Sequence, residues 1–428
     1  MRRSADVRLL LAVAAALGVA ALALGRSEGL RHGPRDAGWD VAIVPVSSDA
    51  PRALTDEAIR LSAIGQYARA CERPSRAAAG GPADDVRHED ASSCFEAWGW
   101  QALRGGRPED ALRLFRQGLA EAPEAPALLK GLGLAAVHAG RSAEAVAPLE
   151  RAVRAGPDGQ VELLLAHLYD HHDEPDRAIG HLRDLLAREP ANAHARRLLD
   201  KLERERRAEA GFERAVTRHF VVKQRGAADR AARAAVTRAL ETAAERVGTA
   251  LGWAPRERLT VILYDRPQFE DVTRVHGWAT GVFDGKIRLP LGTPPLPPPA
   301  ELERLAAHEY AHAAIHGLSR GRAPRWLQEG LAQALEGASL DPMLRVPGVL
   351  TLAGVEALVT DADPVRARAG YDIALWMVRD LLDRGGLPAM RGLLIRLGAG
   401  DTLAEAMPRV YGLRMAELES QWRRVLGG

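Results

Sequence analysis

The stretch PEDALRLFRQGLAEAP, residues 108–123, returns twice along the chain in altered form. Its Ala111 is followed by Ala145 and Ala178, and its closing Pro123 by Pro157 and Pro190 at the same steps. Four residues after each alanine stands a large apolar residue, Phe115, Leu149 or Leu182. Twelve residues before each stands a small one, Gly99, Gly133 or Ala166. Three registers keeping one period describe a supersecondary unit that buries its apolar face against the next copy. The small residues let two antiparallel helices approach, and the proline ends the second of them.

This pattern resembles the tetratricopeptide repeat. The resemblance implies three repeats beginning near Ser92, in a domain of residues 91–208. A charged helix over 191–215 is expected to cap them and to link to the next domain. Such repeats stack into an α-solenoid whose concave face commonly binds peptides or partner proteins, and they carry no chemistry themselves.

Upstream, residues 31–90 are mixed, with one helical run ending at Cys71. Residues 1–30 read as a targeting segment, because Arg2, Arg3 and Arg8 precede an uncharged apolar run, Leu9–Gly25. Basic residues before an apolar run make an export signal, and the run also reaches the lower limit of a membrane span. Cleaved signal and retained anchor therefore both stand, and either places the rest of the chain outside the cytoplasm. The two cysteines, Cys71 and Cys94, would close the loop between them if paired, and two buried thiols are the alternative. A net charge of +2 on 428 residues gives no field that would favour nucleic acid. Nearly all the cations are arginine, with lysine only at 130, 201, 223 and 286.

After the repeats the pattern changes. RHFVVKQ (218–224) and RLTVILYD (258–265) read as strands with a helix, 227–251, between them. TGVFDGKIRLPL (280–291) reads as a hairpin around Asp284-Gly285. A proline-rich link, 294–299, leads into PAELERLAAHEYAHAAIHG, and residues 324–426 look almost wholly helical. Strands first and helices after predict an α+β domain over 209–428.

Within that helix, His308 and His312 are four residues apart and share one face. Both can reach one zinc ion through Zn–N bonds of about 2.0–2.1 Å. Glu309 is rotated off the ligand row, so it can act as a base without occupying a coordination site. His316 lies about 12 Å along the axis from His308, too far to share the ion. The third ligand is expected from APRWLQEGLAQALEG, where Pro324 opens a second helix and Glu329 lies within it. Gly330 and Ala332 are small enough for that helix to pack closely.

These residues resemble the gluzincin zinc peptidases, and more closely the Peptidase MA-like domains that follow tetratricopeptide repeats in exported bacterial proteins. The resemblance spans about 215–426, through HF-V at 219–222, GKIRLP, HEYAH, PRWLQEGLA, YDIALWMVRDL and YGLRMAELESQW. It implies His308, His312 and Glu329 as zinc ligands, Glu309 as the catalytic base, and the strand 286–290 as the edge against which an extended peptide lies. Where the family commonly has Tyr-x-x-Ser, this chain has Tyr371 and Ala374. Tyr371 is either a donor to the oxyanion, as a tyrosine is in many gluzincins, or a core aromatic. His276 and Trp278 are further candidates for the cleft wall. His171 and His172 read as a solvated turn, and Trp326 and Trp376 as packing residues.

The function expected is that of an exported zinc-dependent peptidase with a repeat module for a protein partner, acting on a peptide or protein substrate. The alternative is a repeat scaffold whose metal domain is catalytically inactive, and a third reading makes 209–428 an interaction domain without metal.

Overall fold

A computed structural model describes residues 85–226, 230–275, 279–291, 295–340 and 351–426. The apolar run 9–25, Cys71, and the pair His276 and Trp278 lie outside them. Cys94 is buried, and no described cysteine is a free thiol. Among the described residues no helix is long and apolar enough to cross a membrane.

The protein is mostly helical, and its first part is a stack of antiparallel helix pairs. These are α1 (Asp85–Arg104) with α2 (Pro108–Glu121), α3 (Pro126–His138) with α4 (Ser142–Ala155), and α5 (Gly159–His171) with α6 (Pro175–Arg188). A single helix, α7 (Ala193–Ala208), closes the stack. The small residues are packing holes. A methyl on Gly99 of α1 would fall 2.6 Å from the Phe115 ring, and one on Gly131 of α3 would fall 2.3 Å from the same ring. Gly133 receives Leu149 in the same way, at 2.4 Å. Each large residue of the repeat thus fills a space that only a small neighbour leaves.

The capping helix is shorter than its charge pattern suggested. It stops at Ala208, and Phe212–Val216 is a strand, β1. Gly211 makes the break at φ 79°, a conformation glycine adopts without steric cost. The chain then forms β2 (Phe220–Arg225), α8 (Arg230–Leu251), β3 (Leu259–Leu263), α9 (Arg266–Thr273), and the hairpin β4 (Val282–Phe283) and β5 (Ile287–Leu289). The sheet order is β1-β2-β3-β5-β4, with β2, β3 and β5 parallel and the two outer strands antiparallel. Since β5 pairs on both sides, it is not the edge expected from the sequence; β4 is.

Alternation along the strands gives the sheet two different faces. Phe220, Val222, Val261, Leu263, Ile287 and Leu289 share one core with α8 and with α10 (Pro299–Ser319). The opposite face carries Ile262 and Tyr264 in a smaller cluster, together with Lys223, Lys286 and Arg288. That second face turns toward the repeats: Lys286 bonds Asp170 at the end of α5 at 2.7 Å. The remaining helices complete the first core: α11 (Arg325–Glu336), α12 (Leu352–Val359), α13 (Pro364–Ala399, kinked at Gly386), α14 (Leu403–Tyr411) and α15 (Met415–Leu426). Trp326 packs edge-on against Trp422 in that core, at 6.0 Å.

Candidate metal centre

Helix α10 begins after a proline-rich link, carries Glu301 in its first turn, and ends where Arg320 and Gly321 turn left-handed. On its inner face His308 Nε2 and His312 Nε2 are 3.1 Å apart. Helix α11 brings Glu329 Oε2 to 3.6 Å from His308 Nε2 and 3.5 Å from His312 Nε2. Zinc bonds of about 2.0–2.1 Å at tetrahedral angles require ligand atoms about 3.3 Å apart. The three atoms already form such a triangle. Gly330 packs α11 onto α13 rather than onto the histidine helix: a methyl there would stand 2.3 Å from the Ala374 carbonyl oxygen.

The surroundings favour a cation. Burial opposes the charged form of His308, yet Glu329 and Glu336 hold its pKa well above the ordinary value. Burial likewise opposes an ionised Glu329, and His312 and His308 hold it well below the usual carboxylate range. The two carboxylates thus stabilise positive charge at His308, and an ion bound there would have to displace that proton.

Glu336 is a residue the sequence reading missed. It lies 3.2 Å from His308 Nδ1, so it fixes which ring nitrogen faces Glu329. Its signal was the spacing of seven residues from Glu329, two helical turns on the same face.

Glu309 is buried, and its Oε2 makes no hydrogen bond among the described residues. Burial, assisted by the nearby Glu329 and Glu336, raises its pKa against the opposing pull of His308 and His312. Gly281, just before β4, leaves the space the carboxylate occupies: a methyl there would fall 2.1 Å from Glu309 Oε1. The edge strand therefore passes directly over this side chain. Tyr371, half-buried near the start of α13, has its phenol pKa raised by burial and then by Glu329 and Glu309, which brings it within electrostatic reach of the centre.

His316 stays outside the triangle. It packs edge-on against Phe283 of β4 at 5.6 Å, and burial lowers its pKa to about 4. His171 and His172 are not a solvated turn. They are largely buried, and burial lowers the pKa of His171 to about 4. With Glu257 they form a second group of possible ligands, in which His172 Nε2 lies 3.7 Å from Glu257 Oε2.

Residues 96–159 match the tetratricopeptide repeat family. No curated protein matches the sequence. Among solved structures the chain is similar to MamA, with 16% identity over 36% of this chain and 86% of that one, at a TM-score of 0.29. It is similar to a thermophilic TPR protein of Thermus thermophilus, with 20% identity over 34% and 95%, at 0.22. A tetratricopeptide repeat protein from Parabacteroides merdae is similar at 13% identity over 80% and 96%, with a TM-score of 0.32. The match over 96–159 thus gives this chain a module of tetratricopeptide repeats, and residues 209–428 rest on their own geometry.

Proposed function

We propose that residues 209–428 form a zinc-dependent peptidase and that the repeats serve it as a protein-interaction module. The observation that carries the reading is Glu309, a buried carboxylate with one oxygen unbonded, beside three ligand atoms spaced for one ion. His308, His312 and Glu329 would hold zinc, which when bound polarises a peptide carbonyl and acidifies water. Glu309 would take the proton of the attacking water and pass it to the departing amine. The outer edge of β4 would hold an extended peptide by strand addition, with the scissile bond beside Glu309. Tyr371 would donate to the oxyanion. The basic and apolar N-terminal segment supports export, with residues 9–25 either removed or kept as an anchor.

Replacing Glu309 by Gln tests the chemistry, since it keeps size and removes the base. Hydrolysis of a peptide library should fall by at least about 10²-fold while zinc content stays near that of the wild type. Identical fragment patterns from both proteins would leave a repeat scaffold with an inactive metal domain as the better description.

A further inference from the structure

The hairpin that overhangs Glu309 is held from behind by the repeats. Lys201 of α7 places its ammonium among three carboxylates: it donates to Asp170 at 3.0 Å and pairs by charge with Glu205 at 3.1 Å and Asp284 at 3.1 Å. Arg288 of β5 meets Asp284 at 3.1 Å, Glu205 at 3.1 Å and the Tyr264 hydroxyl at 2.9 Å. Lys286 meets Asp170 at 2.7 Å, and Lys223 of β2 meets Asp173 at 2.8 Å and also Glu209. All these side chains are at least four-fifths buried. Glu205 Oε1 and Arg288 Nη2 face each other at 3.1 Å without a hydrogen bond, so charge alone holds that pair. Charges withdrawn from water in this way persist only with close opposite partners, and displacement leaves them uncompensated.

A backbone feature points the same way. The turns inside the first two repeats are made left-handed by Gly106 and Gly140. At the equivalent step of the third repeat the residue is Asp173, with φ 59°. An aspartate there accepts a strained conformation that glycine adopts freely. What it gains is a carboxylate on Lys223 and on Arg214 of the sheet.

We infer that the repeat module is one wall of the candidate cleft: Asp170 and Lys201 act as positioning residues that set the height of β4 above Glu309 through Asp284, Lys286 and Arg288. The two sides of the hairpin make this mechanical. Lys286 and Arg288 reach back to the repeats, while Ile287 and Leu289 enter the core shared with α10. Gly281 and Phe283 lie against Glu309 and His316. A partner that shifts α5 or α7 would therefore change how a peptide sits on the edge strand. The consequence for hydrolysis rests on the peptidase reading; the coupling between repeats and hairpin does not.

The test uses full-length protein as wild type, Asp170→Asn, Lys286→Gln and the double variant, read by amide hydrogen exchange. Each single change should speed exchange across 280–289 by at least about tenfold, with α10 unchanged and zinc content retained. The double variant should be milder than the two single effects combined, because neither charge is then left buried alone. Peptide hydrolysis by the single variants should show a raised KM with kcat less affected. Should either single variant fail to fold, the double variant and Asp284→Asn carry the same readout. Unchanged exchange at 280–289, or equal loss of protection in α10 and the hairpin, would overturn the coupling. A wild type without hydrolytic activity but with the expected exchange pattern would overturn the peptidase reading alone.

Discussion

Replacing Gly281 by Ala adds one methyl group between the edge strand and the candidate base. Gly281 is not among the glycines with positive φ, so the substitution brings no backbone strain of its own. The new carbon would stand 2.1 Å from Glu309 Oε1, 2.5 Å from Cδ and 2.9 Å from Cγ. Ordinary contact begins at 3.4 Å, so either the strand or the carboxylate must give way by the difference. The hairpin is pinned from behind by Lys201 and Arg288, and α10 is fixed in the core by Tyr310 and Ala314. The yielding part is therefore the Glu309 side chain, which must swing from its Cβ because Cγ and Cδ are crowded as well, and so carries its carboxylate away from the present position. A misplacement of about 1 Å in a catalytic group costs on the order of 10²-fold in rate. We expect kcat/KM for a peptide substrate to fall by roughly that factor, with zinc stoichiometry unchanged. The assay is steady-state hydrolysis paired with elemental analysis of the same preparation. Activity within about threefold of the wild type in a folded, zinc-loaded variant would show that Glu309 is not the base at that position.

Glu336→Gln removes the carboxylate behind His308, so zinc should bind about 10–100-fold more weakly in chelator competition; unchanged affinity would end its orienting role. Gly330→Ala forces a methyl to 2.3 Å from a backbone oxygen that cannot swing aside, and denaturant titration should record a loss of roughly 1–3 kcal/mol. Equal stability would contradict the close approach of α11 to α13. For Asp284, burial opposes ionisation, but Arg288 and Lys201 lower its pKa to about 2 from an ordinary 3.8. A carboxylate depressed on folding contributes stability above its unfolded pKa and loses it as pH falls through the folded one. The melting-temperature gap between wild type and Asp284→Asn should accordingly narrow from pH 3.8 to about 2, and a constant gap would remove the ion cluster from the account.

The parts of this protein that could be read from its residues are those written in local spacing. The repeat period survives because every helix pair solves the same packing problem, with Phe115 or Leu149 filling a gap beside Gly99 or Gly133. His308 and His312 declare themselves because four residues on a helix return to one face. Glu329 required one further step, a second helix following the first; Gly330, expected to let that helix approach the histidines, packs it against α13 instead. The strand order was not readable in the same way. Phe212–Val216 carries Glu213 and Arg214 and continues the charged run of the preceding helix, so only its pairing with β2 separates the two. The Asp284-Gly285 turn announced the pairing of β4 with β5, but nothing in GKIRLP says that its other side pairs with β3, which leaves β4 as the edge.

The lysines held a signal that composition alone suggested and only the packing explains. Of 58 basic residues just four are lysine, so the composition favours arginine almost everywhere. It does not account for where lysine persists. Lys201, Lys223 and Lys286 all lie in the buried cluster, and Lys130 bonds Asp158 at 2.6 Å between repeats. An ammonium is a compact point charge with three donors on a thin stem, whereas a guanidinium is a flat fork that wants two acceptors in its plane. Three carboxylates converging on one buried point, as around Lys201, match the first shape and not the second. In a chain otherwise given to arginine, the surviving lysines mark the places where charges are packed in the round, and here they mark the seam between the repeats and the candidate cleft.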